Sequence, residues 1–142
     1  GYKDTSSSDA VYMLDWYAYG IGKVPTKVAT TYQNISDAWS LLIDQKWHDR
    51  ITAIKVSDGG LSYVEFFEYR KNKMSIPLFN IYCATGSNRE YYAERTDLIQ
   101  LGQTTQAIYF AKLTNEGEQS ELALTGDEIK ARFSLVNQAW NN

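Results

Sequence analysis

The chain has 142 residues, with 14 Lys or Arg against 17 Asp or Glu and a formal net charge of -3. That length fits one domain that folds without disulfides or metal, and the single cysteine, Cys83, excludes an intrachain disulfide. Both charge signs are scattered and no block of five cations occurs, which argues against nucleic acid or an anionic membrane as the main partner; no stretch reaches the roughly 20 apolar residues of a membrane helix.

Residues 1–8 are polar and low in complexity, so they read as a flexible tether or an arbitrary chain boundary, ahead of a single domain over 9–142. Gly1 with no methionine before it is what a trimmed precursor leaves, and a Ser/Thr/Asp-rich tether is what remains once a lipoprotein signal is cut. The segment Asp9 to Tyr19 fits a helix capped by Ser8 and stopped by Gly20, and its aromatic density equally allows a strand. Trp39, Leu42, Ile43, Lys46 and Trp47 fit helical spacing, while Trp39, Leu41 and Ile43 also alternate as in a strand.

Four segments read as strands: Ile51 to Val56, Leu61 to Tyr69, Leu78 to Ala84 and Ala107 to Leu113. Asp58-Gly59-Gly60 predicts a tight hairpin between the first two, and Arg70 to Lys73 is a polar link to the third. Both faces of these strands carry apolar groups, which places them in the middle of a sheet covered on both sides. Ser87-Asn88-Arg89-Glu90 predicts a capping box that opens a short helix through Tyr91, Tyr92 and Ala93, and Leu98 to Leu101 predicts an edge strand. A second capping box, Thr125-Gly126-Asp127-Glu128, opens a C-terminal helix on which Ile129, Phe133, Val136 and Trp140 form one apolar stripe. Leu124 and Ile129 occupy the positions of a hydrophobic staple. The expected core comprises Phe66, Phe79, Ile81, Phe110, Phe133 and Val136.

The turn Asp44-Gln45-Lys46-Trp47 with Arg50, the strand Tyr63-Val64-Glu65-Phe66-Phe67, Pro77-Leu78-Phe79-Asn80-Ile81-Tyr82, Leu101-Gly102, Ile108-Tyr109-Phe110 and Lys130-Ala131-Arg132-Phe133 follow one another in a recognisable order. From about Ile35 onward this order resembles a domain of lipoproteins and secreted proteins of Gram-positive, Firmicutes-type bacteria. Asp44 departs from it, standing where that family has proline. The resemblance implies an α+β fold with an antiparallel β-sheet flanked by helices, a PsbP-like α/β/α sandwich with the C-terminal helix packed on the sheet. It also implies a strand over Ser40 to Asp44.

Chemistry is sparsely represented. His48 is the one histidine; it lies in a polar turn and no G-x-S-x-G elbow supplies a nucleophile. With one histidine and one cysteine, a three- or four-ligand zinc site cannot be assembled from these residue types, and no D-x-D-x-D-G calcium loop or phosphate-binding glycine loop occurs. No cofactor is expected. Cys83 lies in an apolar run and reads as a core residue, and the Asn34-Ile35-Ser36 sequon carries no meaning in a bacterial chain. The unusual quantity is aromatic: 11 Tyr, 4 Trp and 5 Phe. Beyond core needs, Trp16, Tyr17, Tyr19, Tyr91 and Tyr92 are the candidate ligand-binding residues, with one ring of the Tyr91-Tyr92 pair expected to face inward. The expected function is a non-catalytic binding module outside the cytoplasm, lipid-anchored or secreted, with envelope polysaccharide or another envelope protein as partner. The alternatives are a small hydrolase acting on cell-envelope material, recognisable by titratable groups converging in a cavity, and a structural spacer.

Overall fold

A computed structural model describes residues 3–4, 12–18, 20–22, 24–71 and 73–136. In chain order its strands and helices are β1 (Lys3–Asp4), β2 (Tyr12–Ala18), β3 (Thr26–Asn34), β4 (Trp39–Leu42), β5 (Ile51–Asp58), β6 (Leu61–Arg70), β7 (Lys73–Thr85), α1 (Glu90–Ala93), β8 (Ile99–Gln103), β9 (Ala107–Leu113), α2 (Asn115–Glu118), α3 (Gly126–Arg132) and β10 (Phe133–Leu135), with a 3₁₀ turn at Gln45–Trp47. The strands form two sheets, one of six strands in the order β1-β5-β6-β7-β9-β8 and one of four in the order β10-β4-β3-β2. All pairings are antiparallel except β1 with β5. The molecule is therefore mostly antiparallel β-structure with a few short helices.

The six-stranded sheet follows from local chemistry. Asp58 pairs with Leu61 across the two glycines, and Gly59 takes φ +60, which an L side chain rarely adopts. Gly60 is needed for a different reason: a Cβ there would lie 2.8 Å from the Thr85 carbonyl oxygen of β7. Pro77 sits in an inner strand despite lacking an N–H. The pairing of β6 with β7 shifts register between Phe66 and Phe67, just where Pro77 lies opposite. On the other side the Pro77 carbonyl accepts from the Thr114 hydroxyl at 2.5 Å.

The two sheets face each other across one core. Tyr32, Trp39 and Leu41 from the smaller sheet meet Phe66, Phe79, Ile81 and Ala111 from the larger one. Trp47 is buried among them, and its indole N–H donates to the Leu122 carbonyl at 2.7 Å, which leaves no orphan donor. A second cluster on the outer face of the larger sheet holds Ala84, Leu98, Ile108 and Phe110, with Tyr82 and Tyr92 against it.

The antiparallel sheet, the hairpin at Gly59-Gly60, the edge strand near Leu98 and the Thr125–Glu128 capping box are as the sequence predicts. Both bonds of the box form, Glu128 N–H to Thr125 Oγ1 at 3.1 Å and Thr125 N–H to Glu128 Oε1 at 3.0 Å. The ambiguous segments resolve as strands, β2 and β4. Asp44, at the position where the resemblance leads one to expect proline, takes φ -68, the value a proline ring would impose, and its Oδ1 accepts from the Lys46 N–H at 3.0 Å.

Four expectations are corrected. The C-terminal helix ends at Arg132: Phe133–Leu135 is β10, paired with β4 so that Phe133 lies opposite Leu41 and Leu135 opposite Trp39. Phe133 and Val136 are accordingly half-buried rather than deep, whereas Phe66, Phe79, Ile81 and Phe110 are deep; Trp140 lies outside the described residues. Ser87 does not cap α1: the N-cap is Arg89, with no side-chain cap bond, and its guanidinium donates instead to the Gly86 and Thr105 carbonyls at 2.6 and 3.1 Å. Most of the layer facing the inner side of the main sheet is a second sheet rather than helices, because β-rich residues 12–42 pair with one another and with β10.

Candidate functional site

A groove of about 680 Å³ opens where the smaller sheet meets the turn after β4. The start of β3 supplies Lys27, Ala29 and Thr30; the end of β4 and the turn supply Leu42, Ile43, Asp44, Gln45 and His48; α3 supplies Arg132. Pairing of β3 with β4, together with the Ile43 N–H donating to the Thr30 carbonyl at 2.8 Å, brings the first two sets together. Arg132 is held by its Nη2 donating to Asp44 Oδ2 at 2.7 Å and its Nη1 to the Glu128 carbonyl at 3.3 Å.

The acids around the groove are engaged. Asp44 takes Arg132 and the Lys46 N–H. Asp15 accepts from the Thr30 hydroxyl at 2.6 Å, and Asp49 lies 3.1 Å from His48 Nε2. Lys27 makes no hydrogen bond or ion pair with a described residue, but its charge is one of those that lower the Asp49 carboxyl.

The structure splits the candidate aromatic residues between two surfaces. Trp16 lies opposite Ala29 and Tyr17 opposite Lys27 across the β2–β3 pairing, so both are cross-strand neighbours of residues that line the groove, without lining it themselves. Trp16 is 51% exposed, and its indole N–H donates to Thr31 Oγ1 at 3.0 Å, which fixes the ring over the outer face of the smaller sheet. Leu14 and Leu42, both partly exposed, flank Thr31 in the same cross-strand row. Tyr19 lies outside the described residues. Tyr91 and Tyr92 sit on α1, on the outer face of the larger sheet. Tyr92 stacks on Phe110 with centroids 5.0 Å apart, while Tyr91 is 63% exposed, its ring edge-on to Tyr92 and capped by Arg95 at 5.8 Å. One ring faces inward and the other outward, as their spacing on a helix requires.

Several features escaped sequence reasoning. Lys27, Gln45 and Arg132 come from three distant segments, and no local pattern joins them. Tyr63 and Tyr82 extend the outer aromatic row of Phe110 and Tyr92, with centroids 5.0 Å apart in Tyr63–Tyr82 and 4.8 Å in Tyr82–Phe110. Their alternation along β6 and β7 was visible, but not the register that aligns them.

For catalysis the groove offers Asp44, His48, Lys27 and Arg132 in one concavity. Its lining hydroxyl, Thr30, is buried and already donates to Asp15. Among the described residues no group of three or more His, Cys, Asp or Glu could hold a metal ion, and no helix is long and apolar enough to cross a membrane. Cys83 is buried in the core, and burial pushes its thiol up to about 11. Comparison with known proteins finds no matching family model, no matching curated protein and no matching solved structure.

Proposed function

We propose that this chain is a non-catalytic binding module that works outside the cytoplasm, lipid-anchored or secreted, on envelope polysaccharide or an envelope protein. The observation that carries this reading is the half-exposed indole of Trp16 on the outer face of the smaller sheet, across the strand pairing from the groove-lining Ala29 and held in place by its own hydrogen bond. A rigid aromatic face beside a concavity is suited to stack on a sugar ring or anchor a protein contact, with little side-chain entropy left to lose on binding. The Gram-positive lipoprotein resemblance, carried by the motif order from Ile35 onward, supports the compartment. The finer likeness to a PsbP-like sandwich belongs to the same reading; it is supported by an antiparallel sheet with α1 on its outer face and Ile129 of α3 in its inner core.

The test is Trp16→Ala, alone and with Tyr17→Ala. Both side chains are about half exposed, so the melting temperature should move by no more than a few degrees. Retention on isolated peptidoglycan, or capture of a partner from envelope extract, should be lost. Retention and capture equal to wild type would sink the proposal and favour a spacer. The envelope-hydrolase reading draws on the convergence of Asp44 and His48 in the same groove; release of soluble fragments from peptidoglycan, abolished by His48→Ala, would establish it in place of binding alone.

A further inference from the structure

We infer that the groove beside Trp16 receives an acidic saccharide, a sugar chain carrying carboxylate or phosphate groups, with a sugar ring on the indole and the anion at Lys27. The inference rests on the binding-module reading and adds the charge of the ligand. Its ground is how charge is disposed around the concavity. The carboxylates of Asp15, Asp44 and Asp49 are each engaged, by Thr30, Arg132 and His48 respectively. Both terminal nitrogens of Arg132 are occupied, by Asp44 and the Glu128 carbonyl, and its Nε is buried without a hydrogen-bond partner, so the guanidinium is a fixed part of the wall. The exposed ammonium of Lys27 stands at the lip with the Gln45 amide in the same lining; its charge acts on Asp49 through space, but no ion pair with a described residue holds it.

A single ammonium lacks the extended cation track that a nucleic acid needs, and the chain as a whole is acidic. One point charge suits one anion at a time. Tyr17 lies directly across from that charge and Trp16, opposite Ala29, lies on the diagonal from it, so the stacking surface and the charge are close neighbours on the β2–β3 pair. A repeating sugar acid or sugar phosphate has the same short spacing between ring face and anion.

Calorimetric titration of the whole chain with four probes tests this: a galacturonate hexamer for the carboxylate, a phosphorylated oligomannoside for the phosphate, cellohexaose as the neutral chain, and an oligothymidylate for charge without sugar stacking. At least one acidic sugar should bind about tenfold tighter than cellohexaose. Raising salt from about 0.05 to about 0.5 M should weaken that binding. Lys27→Ala should lower it toward the neutral value and Lys27→Glu below it, while both variants keep the wild-type melting temperature. Trp16→Ala should abolish it.

If cellohexaose binds as tightly as the acidic sugars, unaffected by salt or Lys27→Ala, the inference is overturned while Trp16-dependent binding stands. Oligothymidylate binding as tightly as the acidic sugars would overturn the saccharide assignment. If none of the probes binds although Trp16-dependent retention on envelope persists, the inference also fails. Loss of that retention as well is the separate failure of the binding reading.

Discussion

Phe79 is 1% exposed and lies between Phe66 and Trp47, with ring centroids 4.9 and 5.7 Å away. Those rings are tied elsewhere, Trp47 by its bond to Leu122 and Phe66 by edge contact with Tyr32, so they cannot collapse into a vacated space. Phe79→Ala should therefore cost about 3–5 kcal/mol in denaturant unfolding; a loss below about 1 kcal/mol would show the strand to be peripheral. Burial acts on chemistry as well as on packing at Cys83. Its thiol is pushed from 9.0 to about 11, and burial, with the Cys83 thiol second, also raises the neighbouring Tyr109 hydroxyl, which donates to the Asp37 carbonyl at 2.6 Å. An acid whose folded value is raised binds its proton longer in the native state. The stability it contributes is whole below the unfolded value and is lost as pH rises from about 9 through about 11. Stability should thus fall across that window, and Cys83→Ala should make the fall shallower. Parallel curves for the two proteins, or rapid native-state labelling of the thiol at pH about 8, would contradict the assignment.

The terminal helix shows how far an element can be read locally. Thr125 and Glu128 exchange two hydrogen bonds within four residues, so the start of α3 was legible, and Thr125→Ala should cost about 0.5–2 kcal/mol in thermal or denaturant unfolding. An unchanged midpoint would mean that tertiary packing alone holds the helix. Its end was not legible, because Ile129, Phe133 and Val136 fit a helical period while Phe133 and Leu135 fit a strand period. The choice is made by the distant Trp39, which Phe133 stacks against at 5.7 Å, and by the open backbone of β4. The Ser87 cap failed for a related reason. Arg89 found two carbonyls, Gly86 and Thr105, the second in a segment that sequence proximity does not place beside it. Candidate binding residues behaved likewise: exposure of Trp16 and Tyr91 was foreseeable from surplus aromatic content, but their separation onto opposite faces depends on which sheet each segment joins.

At the scale of the molecule, the second sheet is the main feature that no local signal announced. Its strands come from residues 12–42 and from β10, about ninety positions later in the chain. During synthesis β2, β3 and β4 emerge early, but the β4 edge stays unpaired, and the core side of Trp39 and Leu41 incompletely covered, until Leu135 has left the ribosome. Long-range closure of this kind folds slowly and leaves a sticky edge exposed meanwhile. A nascent chain stalled just before Phe133 would thus carry nearly all of its core residues and still present an open strand to chaperones and to other chains.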